Sequence, residues 1–325
     1  MTSTAIPVID VTTLHGSETE RANIGRSIIQ AYSTWGFGYV TGHPIDPQLI
    51  EAVFTQSKEF HAQPLAEKML VAVGRDHRGY IPMKTSTDVA STIEQATKPN
   101  VSESFMMMRE FAEDSIEVRQ GRYLAGPNRW PAYPVEFRGT LEAYHRAMWE
   151  FSAEIIAIIG AALGDDGGLA TSFDDPTTWL RLLHYPPQDP QAPEDEFGSA
   201  PHTDFGAITL LAQDDVGGLS VRTDDGDWVD VPPRADAFVM NVGDMLHRWS
   251  NGLLKSTPHR VTNRTGRERY SVPFFFDPDV RTRIAPLDCC TSSENPVQFP
   301  AVIFEDFLRS QLEASYANHQ QSQQP

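Results

Sequence analysis

Apolar side chains at Phe137, Leu141, Tyr144, Met148, Phe151, Ile155, Ile158 and Ala162 recur at alternating steps of four and three. That period lays one stripe along one face of a helix, and it predicts a long helix from about Pro134 to Leu163, stopped by Gly164 and Gly167-Gly168. Such a stripe supports a core and is not a cofactor site. Upstream, IPVI at 6–9 reads as a short strand, and Ser17 and Glu20 as a capping box. Behind them Ile24, Ile28, Ile29, Tyr32 and Trp35 form the inner face of a first helix. GFGYVTG at 36–42 reads as a strand, and a second helix is expected over about 47–69.

Beyond about residue 178 the period changes. Short apolar runs (WLRLLHYPP, AITLLAQD, GGLSV, DGDWVDV, AFVMNVGD, HRVTN, RYSVPFFF) alternate with turn residues. Their spacing of roughly 10–15 residues suits an antiparallel β-sandwich or barrel. VIFEDFLRSQLEASY returns to a helical pattern, and NHQQSQQP is polar enough to be disordered. No βαβ alternation, glycine-rich phosphate loop or internal repeat is visible. The chain therefore reads as one domain, mainly β with flanking helices. A helical N-terminal region with short strands covers 1–177 and a β-core covers 178–280; a helical segment at 281–316 and a disordered tail at 317–325 follow.

Apolar residues make up 40% of the 325, enough for a large core. The net charge of −18 argues against binding a nucleic-acid backbone, which needs a basic face. The N-terminus lacks a basic segment followed by a long apolar run, and nowhere do roughly 18 apolar residues follow one another. Neither secretion nor membrane spanning is expected. Cys289 and Cys290 are adjacent, a poor arrangement for a structural disulfide, and no CxxC cluster exists for zinc. A cytoplasmic protein fits this cysteine usage.

Candidate chemistry sits in SAPHTDFGAITLLAQD. On a strand, His202 and Asp204 would share a face, because side chains repeat with period two. A metal needs a third ligand from another strand, and His259 in STPHRVTN is the best candidate. Two imidazoles and one carboxylate make the facial triad of non-haem Fe(II) oxygenases, which leaves positions open for a cosubstrate and O2. Further on, Arg269 and Ser271 in RERYSVPFFF share a strand face. A guanidinium fork plus a hydroxyl suits a bound carboxylate.

In this order and spacing, these residues resemble the Fe(II)/2-oxoglutarate-dependent dioxygenases of the isopenicillin N synthase-like family. IPVID, WGFGYVTGHPI, His77-Arg78-Gly79-Tyr80, SESF at 102–105, GPNRWP at 126–131, GGLSVRTDDGDWVDVPP and NVGDMLHRWSNGLLKSTPHRV carry the likeness along nearly the whole chain. The resemblance implies a distorted double-stranded β-helix, a cupin-like jelly roll, as the core. It implies His202, Asp204 and His259 as ligands of Fe(II), with 2-oxoglutarate and O2 as cosubstrates. The far carboxylate of 2-oxoglutarate would meet Arg269 and Ser271. A small molecule would be hydroxylated, desaturated or cyclised as succinate and CO2 are released.

LRLLHYPP resembles the family strand that ends in NYYP, which makes Tyr185 a further cosubstrate ligand. Leu183 stands where a polar Asn is usual, which removes one contact, and His184 replaces a Tyr and faces away from Tyr185. His247 matches no ligand position, and His77 lies near the expected substrate mouth. Phe275 shares parity with Arg269 and Ser271 and is expected in the substrate pocket; the resemblance adds Tyr80, Phe105, Met107 and Phe205. An oxidase of the same fold that needs no 2-oxoglutarate, such as isopenicillin N synthase or aminocyclopropane carboxylate oxidase, fits the same residues, and succinate formation separates the two. A non-catalytic binding protein is the reading that the intact triad disfavours. The substrate and the oligomeric state stay open.

Overall fold

Ser17 caps the first helix from both sides: its hydroxyl accepts from the Glu20 N–H while the Glu20 carboxylate accepts from the Ser17 N–H. The computed structural model describes residues 5–74, 76–86 and 98–321. Its helices are α1 (Glu18–Thr34), α2 (Pro47–His61), α3 (Leu65–Met69), α4 (Ile116–Arg119), α5 (Phe137–Leu163), α6 (Gly168–Thr171), α7 (Asp244–Trp249) and α8 (Phe304–Gln321). The single helix expected over 47–69 is broken into α2 and α3, because Pro64 has no N–H to continue the ladder and serves as the N-cap of α3. The long stripe is α5, with Phe137, Leu141, Tyr144, Met148, Phe151, Ile155 and Ile158 all buried. Full burial of each such side chain contributes about 1.5–3 kcal/mol over leaving it exposed.

The strands are β1 (Val8–Asp10), β2 (Phe37–Thr41), β3 (Gly79–Ile81), β4 (Glu103–Met108), β5 (Thr177–Tyr185), β6 (Ser199–His202), β7 (Ile208–Gln213), β8 (Leu219–Arg222), β9 (Trp228–Asp230), β10 (Ala237–Val242), β11 (His259–Val261), β12 (Arg269–Asp277), β13 (Arg283–Ile284) and β14 (Val302–Ile303). Eight of them form one sheet in the order β1-β2-β10-β7-β12-β5-β4-β3, and four form a second in the order β6-β11-β8-β9. Apart from the parallel pair β1 and β2, every pairing in the two sheets is antiparallel. This is the double-stranded β-helix with flanking helices. The N-terminal strands do not stand apart from it: β1 and β2 extend one edge of the larger sheet, and β3 and β4 the other.

The larger sheet has two different faces. Leu180, Leu182, Leu210, Phe274 and Phe276 join the α5 stripe in the main core. The opposite face looks at the smaller sheet, across a lesser cluster of Phe37, Tyr39, Leu183, Tyr185, Leu219, Val221, Val239 and Val261. The site lies in that second layer. At the C-terminus the expectation of helix from 281 fails. β13 pairs with β14, a 3-10 turn covers Asp288–Cys290, and helix begins only at Phe304. α8 then continues through Gln321, so 317–321 is helical where disorder was expected, and 322–325 lie outside the described residues.

Candidate active site

Strand register assembles the site. His259 on β11 stands directly opposite His202 at the end of β6, and the register slips between His259 and Val261. A slip of this kind turns a strand locally and re-aims side chains. Asp204 is not on the strand, as its spacing from His202 suggested; β6 ends at His202 and Asp204 lies in the turn beyond. Its carbonyl accepts from the Asp244 N–H at 2.8 Å, while Asp277 accepts from the Ala207 N–H at 2.9 Å. Gly206 is required between them, since a Cβ there would fall 1.5 Å from the Asp277 carboxylate.

The turn brings Asp204 Oδ1 to 3.8 Å from His202 Nε2 and 3.7 Å from His259 Nε2. One donor atom from each of the three residues lies within 4.8 Å of the others, the only such grouping of His, Cys, Asp and Glu among the described residues. The remaining valences are occupied by protein. Nδ1 of His202 is 2.7 Å from the Ala200 carbonyl and Nδ1 of His259 is 3.3 Å from the Thr257 carbonyl, which leaves both Nε2 atoms as lone-pair donors. Asp204 Oδ2 accepts from Asn241 Nδ2 at 2.6 Å and from the Thr209 hydroxyl, which leaves Oδ1 for a metal. Burial alone would raise the Asp204 pKa, but positive charge facing it, on the imidazoles of His259 and His202 when they are protonated, and these two hydrogen bonds outweigh it and lower the pKa. A set of two neutral nitrogens and one anionic oxygen, with one side of the cluster open to a cavity, fits Fe(II).

Thr209 and Asn241 are functional neighbours that sequence reasoning missed. They stand opposite each other on β7 and β10, and Phe275 stands opposite Thr209 from β12. No local pattern announces this, because the pairing joins segments far apart in the chain.

The cavity beside the triad is walled by the larger sheet. Arg269 pairs with Tyr185 and Ser271 with Leu183, and all four line the cavity together with Pro273, Phe275 and Arg181. The period-two reading of β12 holds. Arg269 is 0% exposed, and its guanidinium lies 4.7 Å from the centre of the Tyr185 ring. Nη2 donates to Gln213 Oε1 at 3.0 Å, while Nε and Nη1 are buried with no acceptor. A buried cation with two undirected donors is costly unless an anion completes it.

Four expected pocket residues are elsewhere. Ser104 stands opposite the cavity-lining Leu183, so Phe105 and Met107 point to the other face of β4, opposite Leu182 and Leu180. Phe105 touches Phe60, Phe137 and Trp130; Met107 joins the main core; Tyr80 is paired with Phe105, packs on Phe60 and donates its hydroxyl to Glu103. Phe205 is half-buried against the main core and is not among the lining residues. The RGY stretch is structural: Arg78, 0% exposed, donates to Asn128 Oδ1 and to the carbonyls of Leu124 and Arg109, stitching that stretch to GPNRWP. His184 faces away from the cavity and bonds Glu103 at 2.8 Å, and His247 bonds the Leu254 carbonyl at 2.7 Å.

Two histidines on one sheet and an aspartate in the turn beyond it, facing a buried and incomplete cation on the other sheet, define a non-haem iron oxygenase that takes an anionic cosubstrate. Comparison with known proteins agrees. The profile of the 2OG-Fe(II) oxygenase superfamily matches residues 176–278, and that of the non-haem dioxygenase N-terminal region (in morphine synthesis) matches 6–133. A 2-oxoglutarate-Fe(II) type oxidoreductase of Emericella nidulans is 36% identical over 97% of this chain and 92% of its own. Clavatol oxidase of Penicillium crustosum is 33% identical over 96% and 97%. A full-length Neurospora crassa protein, crystallised with alpha-KG and thymine, superposes with a TM-score of 0.83 at 29% identity, covering 96% of this chain and 97% of that one. The chain belongs to the 2OG-Fe(II) oxygenase superfamily, and it is an Fe(II)- and 2-oxoglutarate-dependent dioxygenase.

Proposed function

We propose that this enzyme oxidises a small organic molecule held over the triad, with His202, Asp204 and His259 binding Fe(II) and with Arg269, Ser271 and Tyr185 holding the far carboxylate of 2-oxoglutarate. The observation that carries the cosubstrate assignment is the Arg269 guanidinium, fully buried with Nε and Nη1 unpartnered. A carboxylate is the planar, two-oxygen anion that suits a guanidinium with donors left open. Fe(II), when bound, supplies the O2 activation that couples conversion of 2-oxoglutarate to succinate and CO2 with substrate oxidation.

The protein's own part is positioning. Asn241 and Thr209 fix the Asp204 carboxylate so that one oxygen is presented to the metal. The Ala200 and Thr257 carbonyls fix the imidazole orientations. Ser271 adds a hydroxyl donor beside Arg269, and the Tyr185 ring supports the guanidinium face. Pro273, Phe275 and Leu211 supply an apolar wall that keeps water from the reacting carbon. The name of clavatol oxidase and the thymine bound in the Neurospora crassa structure support a small-molecule substrate. The single-domain organisation, the isopenicillin N synthase-like subgroup and the cytoplasmic location belong to the same reading. Among the described residues no helix is long and apolar enough to cross a membrane.

The test is stoichiometric. A substrate found by screening the anaerobic Fe(II)/2-oxoglutarate complex for changes in its visible absorption should yield one succinate per oxidised product. Oxidation that proceeds without consuming 2-oxoglutarate would overturn the reading in favour of a 2-oxoglutarate-independent oxidase.

A further inference from the structure

The cavity holds a second cation that the triad and the cosubstrate do not use. Arg181 lies on β5 with the parity of Leu183 and Tyr185, and it lines the same cavity. Its one side-chain hydrogen bond runs from Nε to Ser104 Oγ at 2.9 Å. Among the described residues no carboxylate stands within ion-pair distance, so both Nη groups are left for a ligand. Tyr185 lies four positions further along the strand, about 13 Å at roughly 3.3 Å per residue. Tyr185 is paired with Arg269. The two arginines therefore project from backbone positions four steps apart along one sheet face, Arg181 from mid-strand and Arg269 from beside the last residue of β5.

Charge points the same way. Among the described residues the lining contains two guanidinium groups and one carboxylate, Asp204. A divalent metal brings the surplus to three positive charges, and dianionic 2-oxoglutarate removes two. One uncompensated positive charge remains at Arg181, in a partly desolvated space where pairing is favoured.

We propose that Arg181 is the substrate's anchor and that the substrate of this enzyme carries a carboxylate, which Arg181 holds while the carbon to be oxidised lies toward the triad. The inference rests on the reading of the site as a 2-oxoglutarate-dependent oxygenase. A single surplus charge favours a monoanion over a phosphate monoester, which is close to a dianion at neutral pH. Ser104, whose Oγ accepts from Arg181 Nε, stands beside it and keeps a hydroxyl proton to donate. The apolar wall of Pro273 and Phe275 is left for the rest of the molecule.

The experiment uses the full chain loaded with Zn(II) and saturating 2-oxoglutarate, titrated with matched pairs of phenylacetate and phenylacetamide, indole-3-acetate and indole-3-acetamide, and benzoate and benzamide, read by ligand-observed NMR. The acids should bind more tightly than their amides. Arg181→Gln should weaken the acids at least about tenfold, as expected for a lost charge-assisted bond, and leave the amides unchanged. Arg181→Lys should recover part of the loss, which a merely structural role would not give. Acids and amides binding alike, no acid binding at all, or equal loss of both in Arg181→Gln would overturn the proposal. The 2-oxoglutarate affinity, measured in the same samples, keeps the two readings apart. Normal 2-oxoglutarate binding with no preference for acids sinks only the anchor, whereas absent 2-oxoglutarate binding in the unmodified protein sinks the cosubstrate assignment.

Discussion

Replacing Arg269 by Ala should cost this enzyme most of its affinity for 2-oxoglutarate while leaving its metal in place. Arg269 is 0% exposed and offers two buried donors, Nε and Nη1, that no protein atom accepts. Each charge-assisted hydrogen bond to a carboxylate contributes roughly 1.5–3 kcal/mol. Two such bonds are not fully additive, and water entering the vacated space recovers part of the loss. A net penalty of about 2–4 kcal/mol follows, or roughly 30- to 700-fold in Kd. Arg269→Lys should fall between, since a point charge cannot reproduce the fork. Ser271→Ala should lose less, because one neutral donor is removed. The measurement is a calorimetric titration of 2-oxoglutarate into the metal-loaded protein, with metal content determined separately. Binding within threefold of the unmodified protein, at full metal occupancy, would refute the assignment.

Three further outcomes are expected. His259→Ala should abolish Fe(II) binding whereas His247→Ala, whose imidazole serves the Leu254 carbonyl, should retain it; metal analysis after gel filtration decides, and equal loss would mean the wrong histidine. Asn241→Ala leaves Asp204 Oδ2 with the Thr209 hydroxyl alone and should weaken metal affinity by about 10- to 100-fold, as loss of a ligand-orienting partner does; unchanged affinity in a metal-competition titration would show the contact to be idle. For His184, burial opposes the charged form, but hydrogen bonds to Glu103 and Glu268 outweigh it and raise the pKa above the ordinary 6.5. A raised folded-state pKa means that folding takes up a proton, so this stabilisation is complete below about pH 6.5 and lost as pH climbs through the folded value. The Tm difference between the unmodified protein and His184→Phe should therefore shrink across that window, and a pH-independent difference would contradict the bridge.

The legible and illegible parts of this site differ in one physical respect. β12 could be read because Arg269 and Ser271 mark one face as polar, and period two carries that face on to Phe275. β4 could not, since all six of its residues are buried and both faces are covered. With no polar face to mark the outside, period two says that Phe105 and Met106 diverge but not which of them meets the cavity. The expectation took the wrong set, and Tyr80, paired with Phe105, followed it. His202 and Asp204 were read correctly for an incorrect reason: the turn past β6, not strand alternation, makes them converge. Arg181 was within reach, since it shares parity with Tyr185. Thr209 and Asn241 were not, because only the pairing of β7 with β10 brings them to Asp204.

The division of labour between the sheets has a mechanical consequence. Both histidine ligands belong to the smaller sheet, while Arg269, Ser271, Tyr185 and Arg181 all belong to β5 and β12 of the larger one. Asp204 is the joint: its carbonyl is held by Asp244, its carboxylate by Thr209 and Asn241 of the larger sheet, and its free oxygen faces the two imidazoles of the smaller. Distance between metal and cosubstrate anchor is thus set by the gap between two sheets, and Asp204 with its hydrogen bonds spans that gap directly. Substitutions on β5 and β12 should act on anion binding with metal affinity preserved, and those on β6 and β11 should do the reverse. Substitutions at Asn241 and Thr209 alone should move both, because they displace the one ligand that the two sheets share.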